Sequence, residues 1–250
     1  MATADRVLSI LGLFTVERPE WTVEAIAEQL GLSASSAYQY MKSLVSAGML
    51  VIAKGSRYTV GPAIIELDRV TRSFDPLSRA ARSTLEKLTA GAGADAIGLV
   101  CRIYRLRVMC VDQFAQRPTS FAISYERGRP MPLVKGAASK VILAHLPSRL
   151  LRRFYNEEAG AIEEAGLGAD WEAFKHTIRA LRKHRALATQ GELDPGLMGI
   201  SAPIFDAEGD ILGSIGVVVV AQDFSDDEWR LRTMSAVAAA GASISTSLQT

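Results

Sequence analysis

Apolar side chains recur at every third or fourth position in the first fifty residues. Val7, Leu8, Ile10, Leu11 and Phe14 fit one face of a helix, which Pro19 then interrupts. Thr22 stands where a hydroxyl cap would open TVEAIAEQL, a run that sets Val23, Ala27 and Leu30 on one face with Ile26 beside them. Gly31, able to take a left-handed backbone, is its expected stop. Ser33 is the expected cap of a third helix that turns Ala37, Tyr40 or Met41, Leu44 and Val45 inward and ends near Ala47 and Gly48. LVIA and YTV, on either side of KGSR, then read as a hairpin. Three helices, the last two divided by a tight turn, followed by a hairpin predict a winged helix-turn-helix over residues 1–61, its pattern starting at about Thr3.

PAIIELDRVT predicts a connecting helix, placed with its flanks at residues 62–74, and Asp75-Pro76 marks a boundary before another helix that ends in GAGAD. From there strands alternate with helices. IGLVCRI and RVMCVDQF flank a turn at Tyr104 to Leu106, and FAISY reads as a further strand. GAASKVILAHL reads as a buried helix, followed by helical runs at about Pro147 to Asn156 and Asp170 to His184. ALATQG, MGISAPIF, a DAEGD turn and ILGSIGVVVV supply more strands before a closing helix from about Ser225. Residues 75–250 thus predict an antiparallel sheet with helices on its faces, and the fold class is α+β.

Composition narrows the functions open to such a chain. Lys and Arg total 28 against 27 acidic residues, so a polyanion would have to meet a local patch rather than the whole surface. One exists: between Ser33 and Gly61 stand Lys42, Lys54 and Arg57 with no acidic residue, whereas Asp5, Glu17, Glu20, Glu24 and Glu28 all precede that segment. Cys101 and Cys110 are the sole thiols, too few for a disulfide framework, which points to a reducing compartment and to the cytoplasm. No apolar run approaches the ~18 residues of a membrane span, and Asp5 and Arg6 break up any signal core.

The hydroxyl-rich side of the third helix fits DNA. Ser33, Ser35 and Ser36 at a helix start can meet phosphate, as can Lys42 and the wing cations Lys54 and Arg57. Gln39 can pair with adenine through two bonds, and Tyr38 or Ser35 can reach base edges or methyl groups. Ser43 and Ser46, farther along, read as a solvated face.

Enzymatic motifs are weaker. Gly91, Gly93 and Ala96 spell a dinucleotide fingerprint, but it follows a predicted helix and precedes a strand, the reverse of what phosphate binding needs. GAASK lacks the rest of a phosphate loop, and no G-x-S-x-G elbow occurs. His145, His176 and His184 are scattered, and the two cysteines, on different predicted strands, do not form a metal-ligand set; no cofactor or metal is implied.

The winged helix, together with MPLVKGAASKVILAHLP and GELDPGLMGISAPIFDAEGDILGSIGVV, resembles the IclR family of bacterial transcription regulators over essentially the whole chain. Pro132, Leu133, Ala137, Lys140, Leu143 and Ala144 match the family's central pattern, with Val134 where His is usual and Ser139 where Gly is usual. Glu192, Gly196, Ile200, Ala202, Pro203, Asp206 and Gly209 match its carboxyl block. The resemblance implies a homodimer, often paired to a homotetramer, whose winged helices bind a pseudo-palindromic operator and whose GAF-like carboxyl domain holds a small-molecule effector. The pocket positions it implies are Leu133, Ala137, Ala138, Leu197, Gly199, Ser201, Ser214, Gly216 and Val218.

Members that bind small keto acids carry polar residues where Gly216 and Val218 stand, so the expectation is a roomier, more apolar pocket for an aromatic or partly hydrophobic acid. Backbone N–H groups near Ala137 and Ala138 would hold its carboxylate. The family usually has Arg where Gln39 stands, which leaves this chain's operator preference its own. The expected function is a ligand-responsive regulator of a catabolic or transport operon that binds double-stranded operator DNA and an organic acid, with no membrane partner. Two rivals stay open at this point: an enzyme that works through Glu192 or His145 and carries a regulatory winged helix, and a winged helix that binds protein.

Overall fold

A computed structural model of the chain describes residues 3–224 and 226–249. It divides into two compact units, one ending at Asp75 and the other beginning at Pro76.

In the first unit α1 (Thr3–Leu11), α2 (Val23–Leu30) and α3 (Ala34–Ser46) precede a hairpin of β1 (Leu50–Ile52) and β2 (Tyr58–Val60). The local signals act as their chemistry requires. The Thr22 hydroxyl accepts the Ala25 N–H and the Ser33 hydroxyl accepts the Ser36 N–H, each satisfying a free donor of a first helical turn. Gly31 closes α2 with φ at 61°. Ile10, Trp21, Ile26, Met41, Leu44 and Leu50 form the core. Trp21 also pairs with Tyr58 as an isolated bridge, and its indole N–H donates to the Leu13 carbonyl at 3.0 Å, which ties the wing to the end of α1. Two of the expected inward positions differ. α1 stops at Leu11, so Phe14 packs from the following turn, and Leu8 is exposed. α4 (Ala63–Phe74) follows, running past the expected Thr71, because Asp75-Pro76 is the first real obstacle to a helical backbone.

The second unit is a six-stranded, wholly antiparallel sheet with helices on both faces. Its elements in chain order are α5 (Pro76–Ala92), β3 (Ile97–Tyr104), β4 (Arg107–Ala115), β5 (Pro130–Met131), α6 (Ala137–His145), α7 (Ser148–Glu164) and α8 (Trp171–Arg182). β6 (Leu187–Gln190), β7 (Leu197–Phe205), β8 (Ile211–Val220) and α9 (Asp227–Leu248) complete it. The strand order is β5-β4-β3-β8-β7-β6. Alternation splits the side chains: Val100, Ile200, Ile215 and Val217 pack with α5 and α9 on one face, and Leu99, Cys101, Leu197 and Val218 pack with α6 to α8 on the other. The expected start of the closing helix, about Ser225, lies outside the described residues.

The strand expected at FAISY is a loop. It pairs with no strand; side chains take part of its backbone instead, with the Gln113 amide donating to the Tyr125 carbonyl and the Ser124 N–H donating to Asp194 at 2.9 Å. α7 runs eight residues past the expected Asn156, through one irregular position at Glu158, and buries Ile162. The GAGAD stretch ends α5 and precedes β3, so no phosphate-binding turn forms there.

Candidate functional site

α3 carries two faces. Ala37, Met41 and Leu44 are buried, whereas Ser35, Tyr38, Gln39 and Lys42 recur at helical spacing on the exposed side. Tyr38 is 59% exposed, a large aromatic ring left in water on the face expected to read bases. Ser33 is already engaged as the cap, and it also donates to the Ser36 hydroxyl at 2.9 Å. Ser43 donates back to the Gln39 carbonyl, and Ser46 is exposed.

Lys54 and Arg57 lie in and beside the wing turn, and both are exposed. Along the chain this segment carries positive charge with no acidic residue beside it, and the fold alters that for one residue. Arg57 donates to Glu20 at 3.0 Å, because the Trp21–Tyr58 bridge brings the stretch before α2 alongside β2. An exposed pair of this kind contributes roughly 0–1 kcal/mol, so it yields readily to a stronger anion.

The second candidate site lies where α6 begins. On the α6 side of the sheet, β7 and β8 present small residues, Gly199, Ser201, Ser214 and Gly216, which let the helix approach closely; the Ser214 hydroxyl donates to the Ala138 carbonyl at 3.2 Å. A small pocket of about 30 Å³ remains, lined among others by Ala137, Ala138, Leu197, Gly199, Ser201 and Val218.

Leu133, Ser214 and Gly216, also expected there, do not line it. Leu133 belongs to the core beside Ile142, Ser214 is spent beneath Ala138, and Gly216 is covered. A Cβ at Gly216 would lie 2.2 Å from the Ser201 hydroxyl and 2.3 Å from the Ile200 carbonyl, so the missing side chain opens no space. The expected roominess is therefore not found, since 30 Å³ holds about one water molecule.

A carboxylate closes this pocket. Glu192, on the loop between β6 and β7, accepts the Gly136 N–H at 2.9 Å and the Lys140 ammonium at 2.6 Å. Asp194 accepts both the Ser124 N–H at 2.9 Å and its hydroxyl at 2.5 Å, pinning the same loop to the former FAISY segment. Leu193 fills the space beside Gly136, whose φ of 85° and crowded surroundings exclude a side chain. Tyr125 donates to the Lys135 carbonyl and shares a 2.8 Å bond with Ser139. Burial holds its phenol well above the usual range, so it stays neutral.

Nothing in the sequence signals Tyr125, Thr189 or Leu193 in the lining, and Glu192 stands out there only as a family-matching position and as a residue of the rival enzyme, not as a pocket residue. The enzyme rival needed Glu192 or His145 at work. Glu192 is bound to Gly136 and Lys140, and His145 bonds the Val141 carbonyl through Nδ1 at the other end of α6. No group of three or more His, Cys, Asp or Glu able to hold a metal occurs among the described residues, nor is any helix there long and apolar enough to cross a membrane.

A helix-turn-helix with a hydroxyl- and lysine-bearing outer face, followed by an antiparallel sheet domain with a small pocket bordered by Glu192, defines a DNA-binding protein with a ligand-type domain. The comparisons make the class specific. Residues 73–246 match the family described as bacterial transcriptional regulator IclR C-terminal, and residues 3–51 match the IclR helix-turn-helix domain. The chain belongs to the IclR family and is a transcriptional regulator, not an enzyme.

It is 22% identical over 225 residues to the HTH-type transcriptional regulator KipR of Bacillus subtilis (strain 168), covering 90% of this chain and 88% of that one. An IclR family transcriptional regulator from Brucella abortus has the same fold, with a TM-score of 0.80 at 16% identity, covering 99% of this chain and 92% of that one. So does an IclR homolog from Microbacterium hydrocarbonoxydans complexed with 4-hydroxybenzoate, with a TM-score of 0.72 at 18% identity and 99% of both chains covered.

Proposed function

We propose that the chain is a ligand-responsive regulator of a catabolic or transport operon, whose effector is a small organic acid, aromatic in character. The observation that carries the effector class is the carboxylate of Glu192 on the Gly136 N–H and the Lys140 ammonium. That slot is built for a carboxylate, and an effector acid would take it by displacing Glu192 and swinging the loop around Gly191 and Gly196, both at positive φ. The small residues Gly199, Ala137 and Ala138 would then face its ring. The homolog complexed with 4-hydroxybenzoate supports an aromatic acid.

Residues 1–61 are the DNA-binding domain, 62–74 the linker helix and 75–250 the effector-binding and oligomerisation domain. Ser35, Ser36, Tyr38, Gln39 and Lys42 meet the operator, with Lys54 and Arg57 of the wing on phosphate and Ser33 fixing the start of α3. A homodimer on a pseudo-palindromic site fits this arrangement. The exposed apolar residues of α4 support it: Ile65 is 73% and Phe74 69% exposed, a helix surface that a second copy would cover.

Two measurements test the reading. In a gel-shift against the DNA flanking its own coding region, the log of affinity should fall steeply with the log of salt concentration, and Gln39→Ala should change sequence preference. An absent or salt-insensitive shift overturns the operator claim. In a thermal-shift panel, aromatic carboxylates should raise the melting temperature while small keto acids do not. The reverse order overturns the effector class.

A further inference from the structure

At the opposite end of α6 lies a second and much larger concavity. It has a volume of about 790 Å³, within the roughly 300–1,000 Å³ of small-molecule sites, and is walled by the end of α6, the end of α8, β7 and α9. α6 has nine residues, so the two cavities are about 13 Å apart along its axis. We propose that this cleft is a second ligand site for an amphipathic organic anion, an aryl carboxylate or sulfonate.

The charge on the cleft has one sign. Arg182, Lys183 and Arg185 line it, and among the described residues no aspartate or glutamate does. None of the three has an ion-pair partner among the described residues. Arg182 is also held in place: its Nε donates to the Ala144 carbonyl at 2.6 Å and its Nη2 to the Leu146 carbonyl at 3.4 Å, at the end of α6. That guanidinium is ordered before any ligand arrives, and its remaining N–H groups are free to meet an anion.

The other wall is apolar: Pro203, Phe205, Met234 and Ala238 line it. A small inorganic anion would leave that wall in water, and a neutral apolar molecule would leave three cations unanswered; an aromatic anion answers both. His145 adds a specific contact. Its Nδ1 bonds the Val141 carbonyl, so in the neutral ring Nδ1 carries the proton and Nε2 is an acceptor, suited to a ligand hydroxyl or N–H. Phe205 packs edge-on to that ring, with centroids 5.2 Å apart, which fixes its orientation.

The test uses the full-length protein and 8-anilinonaphthalene-1-sulfonate, an aryl sulfonate with an N–H, followed by its fluorescence. One saturable site per chain is expected, weakened at least tenfold by the double variant K183E/R185E and lost in Ala238→Trp, which fills the apolar wall. Added salt should weaken it, and the uncharged N-phenyl-1-naphthylamine should bind at least tenfold more weakly than the sulfonate. Lys183 and Arg185 are exposed, so the double variant folds even where the tryptophan is not tolerated. Unchanged binding in K183E/R185E, or equal binding of the uncharged dye, overturns the proposal. So does light scattering of the ligand-free protein in which Ala238→Trp lowers the mass of the assembly, since a second copy of the chain would then be what covers the cleft. Operator binding plays no part in either readout.

Discussion

Replacing Glu192 by Gln keeps the size and one acceptor of the side chain and removes its charge. The Gly136 N–H retains a partner, but the Lys140 ammonium, whose side chain is 13% exposed, is left without its carboxylate 2.6 Å away. A hydrogen bond to a charged group contributes about 1.5–3 kcal/mol, and Glu192 is 30% exposed, so a loss of about 2 kcal/mol is expected. For a unit of this size each kcal/mol moves the melting temperature by roughly 2–4 °C, giving a fall of about 4–8 °C in calorimetry. Lys140→Met should cost a similar amount. The double variant should cost at least about 1 kcal/mol less than the two together, because the second change removes a group already stranded by the first. A strictly additive cycle, or an E192Q transition within about 1 °C of the parent, would show that the pair does not hold the loop and would refute the reasoning.

Three other outcomes follow from the packing. Gly216→Ala should destabilise the second unit by about 1–3 kcal/mol in urea unfolding without enlarging the pocket, since the new methyl meets Ser201 and a backbone carbonyl; unchanged stability would contradict that contact. Burial, more than the neighbouring Arg182, depresses the His145 pKa, so the unfolded chain takes up its proton first on acidification. Stability should therefore decline as pH falls from about 6.5 toward the folded value, and the slope should shrink in His145→Asn measured across the same pH range. Cys101 faces Cys110 across β3 and β4, and a hydrogen bond that its thiol donates to that neighbour, together with burial, holds the thiol well above the ordinary range. Ellman's reagent should leave both thiols of the native protein unlabelled and label them at once in denaturant; rapid native labelling would falsify the burial of the pair.

Where one residue's own chemistry decides the backbone, the sequence was readable. Thr22, Ser33 and Gly31 act through atoms within a turn of themselves, so no knowledge of the fold was required to place α2 and α3. Reading failed where a partner distant in sequence decides the outcome. FAISY has a strand's alternation, yet a strand needs an edge, and the carboxylate of Asp194 took the Ser124 N–H instead. Arg57 lost its apparent isolation to Glu20, which the sequence places on the far side of two helices. At Gly216 the inference from a small residue to an open space ignored the neighbouring strand, whose Ser201 hydroxyl occupies it. The exposed face of α3 was thus visible because a helix face is a local object. The pocket was only half visible because its walls come from five separate stretches of chain.

The centre of the sheet pairs β3 with β8, placing Ile97 beside Val218. Those strands come from opposite ends of the second unit, so their ladder cannot form until nearly the whole chain has left the ribosome. The loop closed by that pairing is long and its contacts are non-local, which makes folding slow. The first unit, by contrast, needs only helices and a short hairpin that are neighbours in sequence. During synthesis the DNA-facing half should be complete while the other half is still an open chain with its apolar strands exposed. A cell making this protein would therefore pass through a period in which it can meet nucleic acid before it can answer a ligand.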